Sequence, residues 1–354
     1  MKKEFYILGG MAGSSMDGLD LGLVRFQKLD HHWTYDLKKS GTVVYPESLR
    51  KKLADAPAYT HNQQEALDLI FGEWIGDEIN KFTEKCRVDL LAIHGHTILH
   101  DPDKGRSWQL GDGHCIACRT GIATVTDFRS ADIKLGGQGA PLVPFGDFEL
   151  FSSYHACLNL GGIANISLRD LKLAGDIAPC NQVFNFYAQQ LGHRFDNEGQ
   201  LARLGTIDHQ FINSLKTIPF FDQPFPKSLP NQFIPEKLLR RVAPKDGLKS
   251  YAYFLSSCLK KVPRGTTVMQ TRGENPRMLI TGGGAYNTFL MEELKTTLPQ
   301  WDLQVPSPLI IDFKEAIIFA FLGLKKQRAE INVLASCTGA SADSCSGEIH
   351  FPND

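Results

Sequence analysis

Apolar residues in this chain fall into two patterns, short continuous runs and longer stretches with a helical period. The short runs predict buried strands, because a strand covered on both faces needs no polar alternation. The longer stretches place apolar residues about every 3.6 positions, which is the period of an amphipathic helix. Strands are predicted at 5–8, 19–26, 88–93, 121–128, 157–160, 163–168 and 278–281, and helices at 65–86, 181–191, 248–262, 287–298 and 315–328. This mixture indicates an α/β protein.

The order strand, glycine-rich turn, strand occurs twice. The first copy covers 5–26, with its turn at 9–18, and the second covers 157–168, with Gly161 and Gly162 between its strands. A repeat half a chain apart predicts a duplicated architecture, with two similar lobes and a cleft between them.

The length of 354 residues also suits two domains. We expect an N-terminal lobe at 1–132, completed by the C-terminal segment 332–354, and a second lobe at 133–331. The proline-rich stretch 218–235 is predicted to form a long surface loop. The glycines within 136–139 are a candidate for part of a hinge that closes the lobes around their substrates.

Charge and apolar content argue against two classes of partner and leave open only a local basic groove. The 38 Lys and Arg residues nearly cancel the 39 Asp and Glu residues, so no global field attracts nucleic acid or an anionic membrane. The longest uncharged apolar stretches fall far short of the roughly 18 residues that cross a bilayer. We therefore expect neither a nucleic-acid partner nor a membrane partner.

The eight cysteines are scattered without a dense framework, which favours a reducing, cytoplasmic location. Cys115 and Cys118 have the spacing of a redox or zinc pair, but no second pair follows to complete four ligands. We expect them to be two core thiols.

Glycine-rich loops follow predicted strands at 9–18, 161–162 and 282–284. Converging backbone N–H groups without side chains bind phosphate, so three such loops favour a nucleotide over simple tight turns. The sequence has no GxxxxGK[ST] loop, and the first glycine loop does not lead directly into a Rossmann helix. The repeated strand, glycine hairpin and strand are similar to the actin-like ATPase superfamily, which has a ribonuclease H-like fold and includes many sugar kinases.

Longer motifs make the resemblance specific. The chain has MAGSSMDGLD at 11–20, HGHT at 94–97, QLGDG at 109–113, DFR at 127–129, GGQGAPLVP at 136–144, NLGGIAN at 159–165, GGGAYN at 282–287 and EAIIFA at 315–320. In these segments it resembles the anhydro-N-acetylmuramic acid kinase family, over residues 7 to about 322.

One motif departs from the family pattern. Where the family has D-T-G-P-G-N, this chain has Asp176, Ile177, Ala178, Pro179, Cys180 and Asn181. Proline fixes its own φ and disfavours the helical region at the residue before it. We therefore predict negative φ at both Ala178 and Cys180, with Asp176 still facing the cleft.

The resemblance implies an ATP-dependent kinase that uses Mg²⁺. The family opens the 1,6-anhydro bridge of its amino sugar with water and phosphorylates the released O6, which gives N-acetylmuramic acid 6-phosphate. Asp176 matches the carboxylate that activates the water, and a buried carboxylate can accept a proton. The alternative role for Asp176 is a helix N-cap. The partners implied are the amino sugar and ATP, and a homodimer is compatible with the sequence.

The resemblance also assigns binding residues. Arg129 would grip the lactyl carboxylate with two bonds, and a surface ion pair is its alternative. His94, Thr97 and Glu315 are further sugar-site candidates, for which a packed histidine and an exposed acid at a helix start are the structural alternatives. Asp17 would hold Mg²⁺ through water or orient its loop, with an Asx turn as the alternative, and no other metal ligand is assigned. The predicted nucleotide-binding residues are Gly13, Ser14, Ser15, Asp17, Gly18, Asp20, Gly161, Gly162, Gly282, Gly283, Gly284 and Asn287.

Two rival functions stay open at this point. One is a related kinase for another sugar, because pocket side chains decide specificity. The other is a regulator that binds sugar or nucleotide without catalysis, which the altered residues Ala178 and Cys180 suggest.

Overall fold

The computed structural model describes residues 4–13, 16, 18–30, 32–229, 233–263 and 275–353. Its strands are β1 (Glu4–Ala12), β2 (Gly18–Leu29), β3 (His32–Val44), β4 (Leu90–Ile93), β5 (His96–Asp101), β6 (Arg106–Leu110), β7 (Thr124–Thr126), β8 (Ala156–Leu160), β9 (Ile163–Leu168), β10 (Leu173–Pro179), β11 (Arg277–Thr281), β12 (Asp302–Gln304) and β13 (Glu348–His350).

The α-helices of the described residues are α1 (Glu47–Asp55), α2 (His61–Phe82), α3 (Gly113–Thr120), α4 (Ser130–Lys134), α5 (Val143–Leu150), α6 (Asn181–Gln190), α7 (Gln200–Arg203), α8 (His209–Lys216), α9 (Glu236–Leu239), α10 (Pro244–Leu259), α11 (Thr288–Thr297), α12 (Pro308–Gln327) and α13 (Ala335–Thr338). Helix α2 begins four residues before the predicted start, because Thr60 and Gln63 form a capping box ahead of its apolar stripe. Among the described residues, no helix has the length and apolarity needed to span a bilayer.

Contacts divide the chain into two units, each with its own sheet. Unit 1 comprises Met1–Phe151 with Phe313–Asp354, and unit 2 comprises Ser152–Asp312. In unit 1 the sheet order is β13-β7-β4-β1-β2-β3, and in unit 2 it is β10-β9-β8-β11-β12. In both, the first three strands in sequence are antiparallel neighbours and the next strands add in parallel beside the first. This shared ribonuclease H-like order confirms the predicted α/β fold class and the duplication.

The unit boundaries differ from the expected ones by about twenty residues. Contacts place them after 151 and after 312, whereas the sequence suggested 132 and 331. The reason is packing by α5 and α12. Asp147 of α5 pairs with Lys314 of α12 at 2.9 Å, and a Cβ on Gly146 would come within 2.5 Å of Ile318.

Helix α12 also explains why the first glycine turn is shorter than predicted. Gly9 and Gly10 lie inside β1, not in a loop. A Cβ on Gly9 would lie 1.9 Å from the carbonyl oxygen of Ala316, so glycine is needed where α12 crosses the strand.

The stretch 218–235 was expected to be a surface loop, and this is wrong for its aromatic part. Phe220, Phe221 and Leu229 are buried in the core of unit 2. Phe221 packs edge-on against Phe254 of α10, with ring centroids 4.8 Å apart. The prolines break regular structure, but the phenylalanines bury enough apolar surface to hold the segment against the helix.

The expectation of two core thiols on α3 is wrong for Cys118. Cys115 is half-buried, but Cys118 is exposed, with its sulfur 3.4 Å from the His114 ring and 3.4 Å from the Pro352 carbonyl oxygen. Both thiols are free.

Candidate active site

Asp176 lies on β10, the edge strand of the sheet in unit 2. Its register partner on β9 is Asn165, and the next pair is Ala178 with Ala164, so Ile177 is the extra residue of a β-bulge. The Ile177 side chain is buried in the core of unit 2. A β-bulge bends its strand and commonly changes the direction of a side chain beside an active site. Here the bulge lies directly after Asp176 and shifts the pairing of the residues that follow it.

Three neighbouring backbone and side-chain groups hold Asp176. Its carboxylate Oδ2 accepts hydrogen bonds from the Leu229 N–H at 2.7 Å and the Ser228 hydroxyl at 3.3 Å. Its own N–H donates to the Lys227 carbonyl oxygen at 2.8 Å. Burial raises the pKa of Asp176 to about 6, although the hydrogen bonds from Leu229 and Ser228 and the nearby Lys227 charge oppose the rise. Such a carboxylate is ionised at neutral pH and can accept a proton.

The helix-cap alternative for Asp176 is wrong. Helix α6 begins at Asn181, and the residue before it is Cys180, so Asp176 lies in the strand and not at the cap. The predicted backbone angles are confirmed: Cys180 has φ −124°, and Ala178 is not among the residues with positive φ. Both side chains are buried, and burial raises the pKa of the Cys180 thiol to about 12.

Gly161 and Gly162 form the turn between β8 and β9, beside the N-terminus of α6. The Gly162 carbonyl oxygen accepts from the Cys180 N–H at 2.7 Å, and the Gly161 carbonyl oxygen accepts from the Asn181 N–H at 3.0 Å. The turn therefore caps the helix with its carbonyl groups. A Cβ on Gly161 would lie 3.3 Å from Asn159 Nδ2 and 3.5 Å from the Ile163 carbonyl oxygen, and one on Gly162 would lie 3.5 Å from the Gln182 side chain, so packing alone does not require glycine at either position.

Gly282, Gly283 and Gly284 follow β11 and lie against the end of β8. A Cβ on Gly282, which has φ +80°, would come within 2.5 Å of Asn159, and one on Gly284 within 2.7 Å of the Leu160 side chain. At Gly283 the one such contact within the described part of the chain is Asn181 at 3.5 Å. The structure thus brings the second and third glycine loops together at the carboxyl ends of neighbouring parallel strands.

Asn287 has a structural role in this loop. Its side chain caps α11 by accepting a hydrogen bond from the Leu290 N–H at 3.0 Å. A nucleotide contact for Asn287 stays a prediction.

In unit 1, the predicted substrate residues His94 and Arg129 are in direct contact. Arg129 donates to His94 Nε2 from Nη2 at 2.7 Å and to the Gly139 carbonyl oxygen from Nη1 at 2.6 Å. The other ring nitrogen, Nδ1, faces the Gly95 carbonyl oxygen at 3.0 Å, which assigns the proton to Nδ1. Burial and the Arg129 charge hold the pKa of His94 well below its usual range. The histidine is therefore neutral and orients the guanidinium.

The surface-ion-pair alternative for Arg129 is wrong. Its hydrogen-bond partners among the described residues are the neutral acceptors on His94 and Gly139. Burial lowers the pKa of Arg129 to about 10, partly offset by the charges of Glu315 and Asp127, so the guanidinium stays protonated at neutral pH. A half-buried cation with neutral hydrogen-bond partners is suited to attract an anionic ligand.

The glycines proposed as a hinge are fixed inside unit 1. Asp132 Oδ2 accepts from the Gly139 N–H at 2.8 Å, and its Oδ1 accepts from the Thr338 hydroxyl at 2.7 Å. The Thr338 carbonyl oxygen accepts from the Gln138 N–H at 2.9 Å. These bonds tie the loop at 136–139 to one unit and, through Gly139, to Arg129, so the hinge assignment is wrong.

Glu315 lies within α12 and not at its start, because the helix begins at Pro308. Burial raises the pKa of Glu315, and the nearby carboxylates Asp20 and Asp147 add to the rise while Lys314 and Arg129 oppose it. Glu315 thus shares the electrostatic environment of Arg129. Thr97, by contrast, is exposed on β5.

The first glycine loop is described only in part. Ser14, Ser15 and Asp17 lie outside the described residues. The Gly13 carbonyl oxygen accepts from the Met16 N–H at 3.3 Å. At Gly18 a Cβ would lie 2.4 Å from the Val43 carbonyl oxygen, which explains glycine there by strand packing. Asp20 accepts a hydrogen bond from the Thr42 hydroxyl at 2.5 Å.

A polar pocket of about 220 Å³ in unit 1 brings three sequence motifs together. Its lining includes His94, the motif residues Gln109 and Asp112, and Asp127. The sequence had not singled out Asp68, whose Oδ1 accepts from the Gly111 N–H at 2.6 Å in the same pocket. In unit 2, the sequence also did not identify Lys227, Ser228 and Leu229 as site residues, because no motif or periodicity distinguishes them.

Two α/β units with one sheet order, and with glycine loops at strand ends, have the architecture of the actin-like ATPase and sugar kinase class. The chain belongs to the anhydro-N-acetylmuramic acid kinase family, whose model matches residues 5–352. It is therefore a kinase, a transferase of peptidoglycan recycling.

Curated relatives carry the same family name. Anhydro-N-acetylmuramic acid kinase of Shewanella sediminis is 33% identical over 99% of each chain, and that of Shewanella sp. strain MR-7 is 34% identical over 98% of each. Among solved structures, component A of the (R)-2-hydroxyglutaryl-CoA dehydratase of Acidaminococcus fermentans is 12% identical, with a TM-score of 0.45, over 92% of this chain and 99% of that one.

Proposed function

We propose that this chain opens 1,6-anhydro-N-acetylmuramic acid with water and phosphorylates its O6, using ATP and Mg²⁺, to give N-acetylmuramic acid 6-phosphate. The observation that carries the proposal is Asp176, a carboxylate of raised pKa held on one oxygen by Leu229 and Ser228. A general base needs a pKa near, but below, the working pH.

The reaction requires the protein to carry out one proton transfer. The water oxygen bonds to C1 of the sugar while the C1–O6 bond breaks, and the water proton passes to Asp176. The released O6 bonds to the γ-phosphorus of ATP, and ADP leaves. Asp176 then returns its proton to solvent, so the base is regenerated.

The glycine loops of unit 2 fit a nucleotide. At Gly161, Gly162 and Gly283 neither a positive φ nor a clash inside the protein requires glycine. Their open backbone leaves room for close approach by a ligand. Mg²⁺ is usually held by phosphate oxygens with one or two carboxylates. Asp20, at the start of β2, is the described carboxylate nearest in sequence to the first loop.

Arg129 supplies the recognition of the substrate carboxylate. Its guanidinium is oriented by the neutral His94 and by the Gly139 carbonyl oxygen, and it keeps its charge. A guanidinium held in this way can bind a lactyl carboxylate with two parallel bonds.

A turnover assay with ATP and the anhydro sugar, read by mass spectrometry and phosphorus NMR, tests the proposal. A product phosphorylated at O6 and carrying one added oxygen from ¹⁸O-water supports it. Turnover of a different sugar only would favour another sugar kinase, and binding without turnover would favour a non-catalytic regulator.

A further inference from the structure

The segment formed by Lys227, Ser228 and Leu229 contacts Asp176 at both its backbone N–H and its side-chain carboxylate. The Lys227 carbonyl oxygen accepts from the Asp176 N–H at 2.8 Å, and the Leu229 N–H donates back to the carboxylate at 2.7 Å. The Ser228 hydroxyl, between them in sequence, reaches the same carboxylate oxygen at 3.3 Å. Because β10 is an edge strand, its outer backbone groups need such a partner.

Gly175 makes this close approach possible. A Cβ at this position would lie 2.7 Å from Phe225 Cδ1 and 2.9 Å from the Lys227 carbonyl oxygen. Gly175 has no positive φ, so backbone conformation does not require glycine there. Glycine is needed at 175 because the segment containing Lys227 lies against it, as expected where another backbone approaches a strand closely.

The two hydrogen bonds to the carboxylate distinguish its oxygens. Oδ2 accepts two hydrogen bonds, whereas no donor among the described residues reaches Oδ1. A carboxylate anchored through one oxygen keeps a single orientation and presents the other oxygen to a ligand.

We propose that Ser228 is a positioning residue for the general base: with the Leu229 N–H it fixes Oδ2 of Asp176, so that Oδ1 is the atom that takes the proton of the attacking water. Gly175 keeps the segment close enough for this contact. The inference rests on the proposed role of Asp176 and adds to it the device that orients the base.

A pH profile of the enzyme can be interpreted only if the charged and titratable groups near Asp176 are known. Lys227 is the charged neighbour whose field lowers the pKa of Asp176, and its ammonium donates a hydrogen bond to the Phe220 carbonyl oxygen at 3.1 Å. On β9 the register partner is the neutral Asn165. On α10 the titratable groups near β10 are Tyr251, which donates to the Pro179 carbonyl oxygen at 2.6 Å, and Cys258; burial holds the pKa of both above its usual value.

The main test compares Ser228→Ala with Ser228→Thr in the full-length enzyme. We expect kcat of Ser228→Ala to fall about 10-fold, with the KM values of sugar and ATP unchanged, because a hydrogen bond to a charged group is lost. The acid limb of the kcat profile should move to higher pH, since the hydroxyl stabilises the ionised carboxylate. Ser228→Thr keeps the hydroxyl and should behave as wild type.

Gly175→Ala tests the backbone contact. It should lower kcat with the same shift of the acid limb, because the segment must move outward. Gly41→Ala is the matched control: Gly41 is a glycine of β3, and its Cβ would only touch Phe82 at 3.4 Å. This control should leave kcat and the pH profile unchanged.

The outcomes separate the two proposals. Wild-type kcat and pH profile in Ser228→Ala would overturn the positioning role, as would an equal loss in Ser228→Thr or a rise in KM alone. If instead Asp176→Asn itself keeps turnover, the general-base assignment fails, and the positioning role fails with it.

Discussion

Charged side chains that are buried or half-buried in the two units fall into two groups, with and without a direct ion pair. Asp176 in unit 2 and Arg129 in unit 1 have neutral hydrogen-bond partners, and burial shifts the pKa of each toward its uncharged form. Lys314 and Asp147 in unit 1 instead face each other at 2.9 Å, and each side chain is only 2% exposed. Burial without a directly bonded counter-charge leaves a group ready for a ligand or a proton, whereas a paired charge serves the fold.

The largest expected effect comes from neutralising Asp176, a half-buried carboxylate of unit 2. Asp176→Asn should cut turnover by roughly 10²- to 10⁴-fold, because the amide cannot accept the water proton. Initial-rate measurements of product formation check it. Turnover within a few-fold of wild type would show that Asp176 is not the base.

A stability measurement on the same variant gives the control. The folded protein raises the pKa of Asp176 above its value in the unfolded chain, to about 6. Ionisation of Asp176 therefore destabilises the folded state as the pH rises between those two pKa values. Near neutral pH, Asp176→Asn should therefore unfold at an equal or higher denaturant concentration than wild type. A clearly lower midpoint would mean that lost turnover reflects lost structure.

The paired charges of unit 1 should respond oppositely. Lys314→Met leaves Asp147 buried without its cation and should cost about 3 to 5 kcal/mol in the free energy of unfolding, measured in urea. Replacing both partners, as Lys314→Met with Asp147→Leu, should recover most of that loss. If Lys314→Met does not destabilise the protein, the claim that this paired charge serves the fold is wrong.

Arg129→Lys tests the cation with neutral partners in unit 1. We expect KM for the anhydro sugar to rise about 10-fold while KM for ATP stays unchanged, because lysine keeps the charge but not the two-pronged geometry. Arg119→Lys is the matched control, since Arg119 lies in an exposed pair with Asp77. Unchanged sugar KM in Arg129→Lys, or a selective effect on ATP, would contradict the assignment.

The smallest expected effect is the pH dependence of the wild-type enzyme. Because the base must be ionised, kcat should fall as pH decreases through about 6, the pKa of Asp176. A pH profile at saturating substrates measures it. An acid limb near pH 4 would indicate a base that is not desolvated.

Strong periodicity and short apolar runs predicted much of the fold. Helices α2, α10 and α12 and the hairpins of both units follow from local pattern, since each buries one stripe or one run. The pattern gave no sign of β3, an antiparallel partner of β2 with many exposed polar positions. Its hydrogen bonds to β2 are non-local, so no short window of sequence indicates them.

The sequence by itself determined the family, the two-copy α/β plan and the candidate residues Asp176, His94 and Arg129, because these depend on residue types at fixed local spacing. Only the tertiary structure decided how those residues are held. His94 and Arg129 meet from positions 35 residues apart, and Asp176 meets Leu229 across 53 residues. A pKa depends on burial and on partners that come from distant parts of the chain, so the charge state of a site is a property of the packed fold.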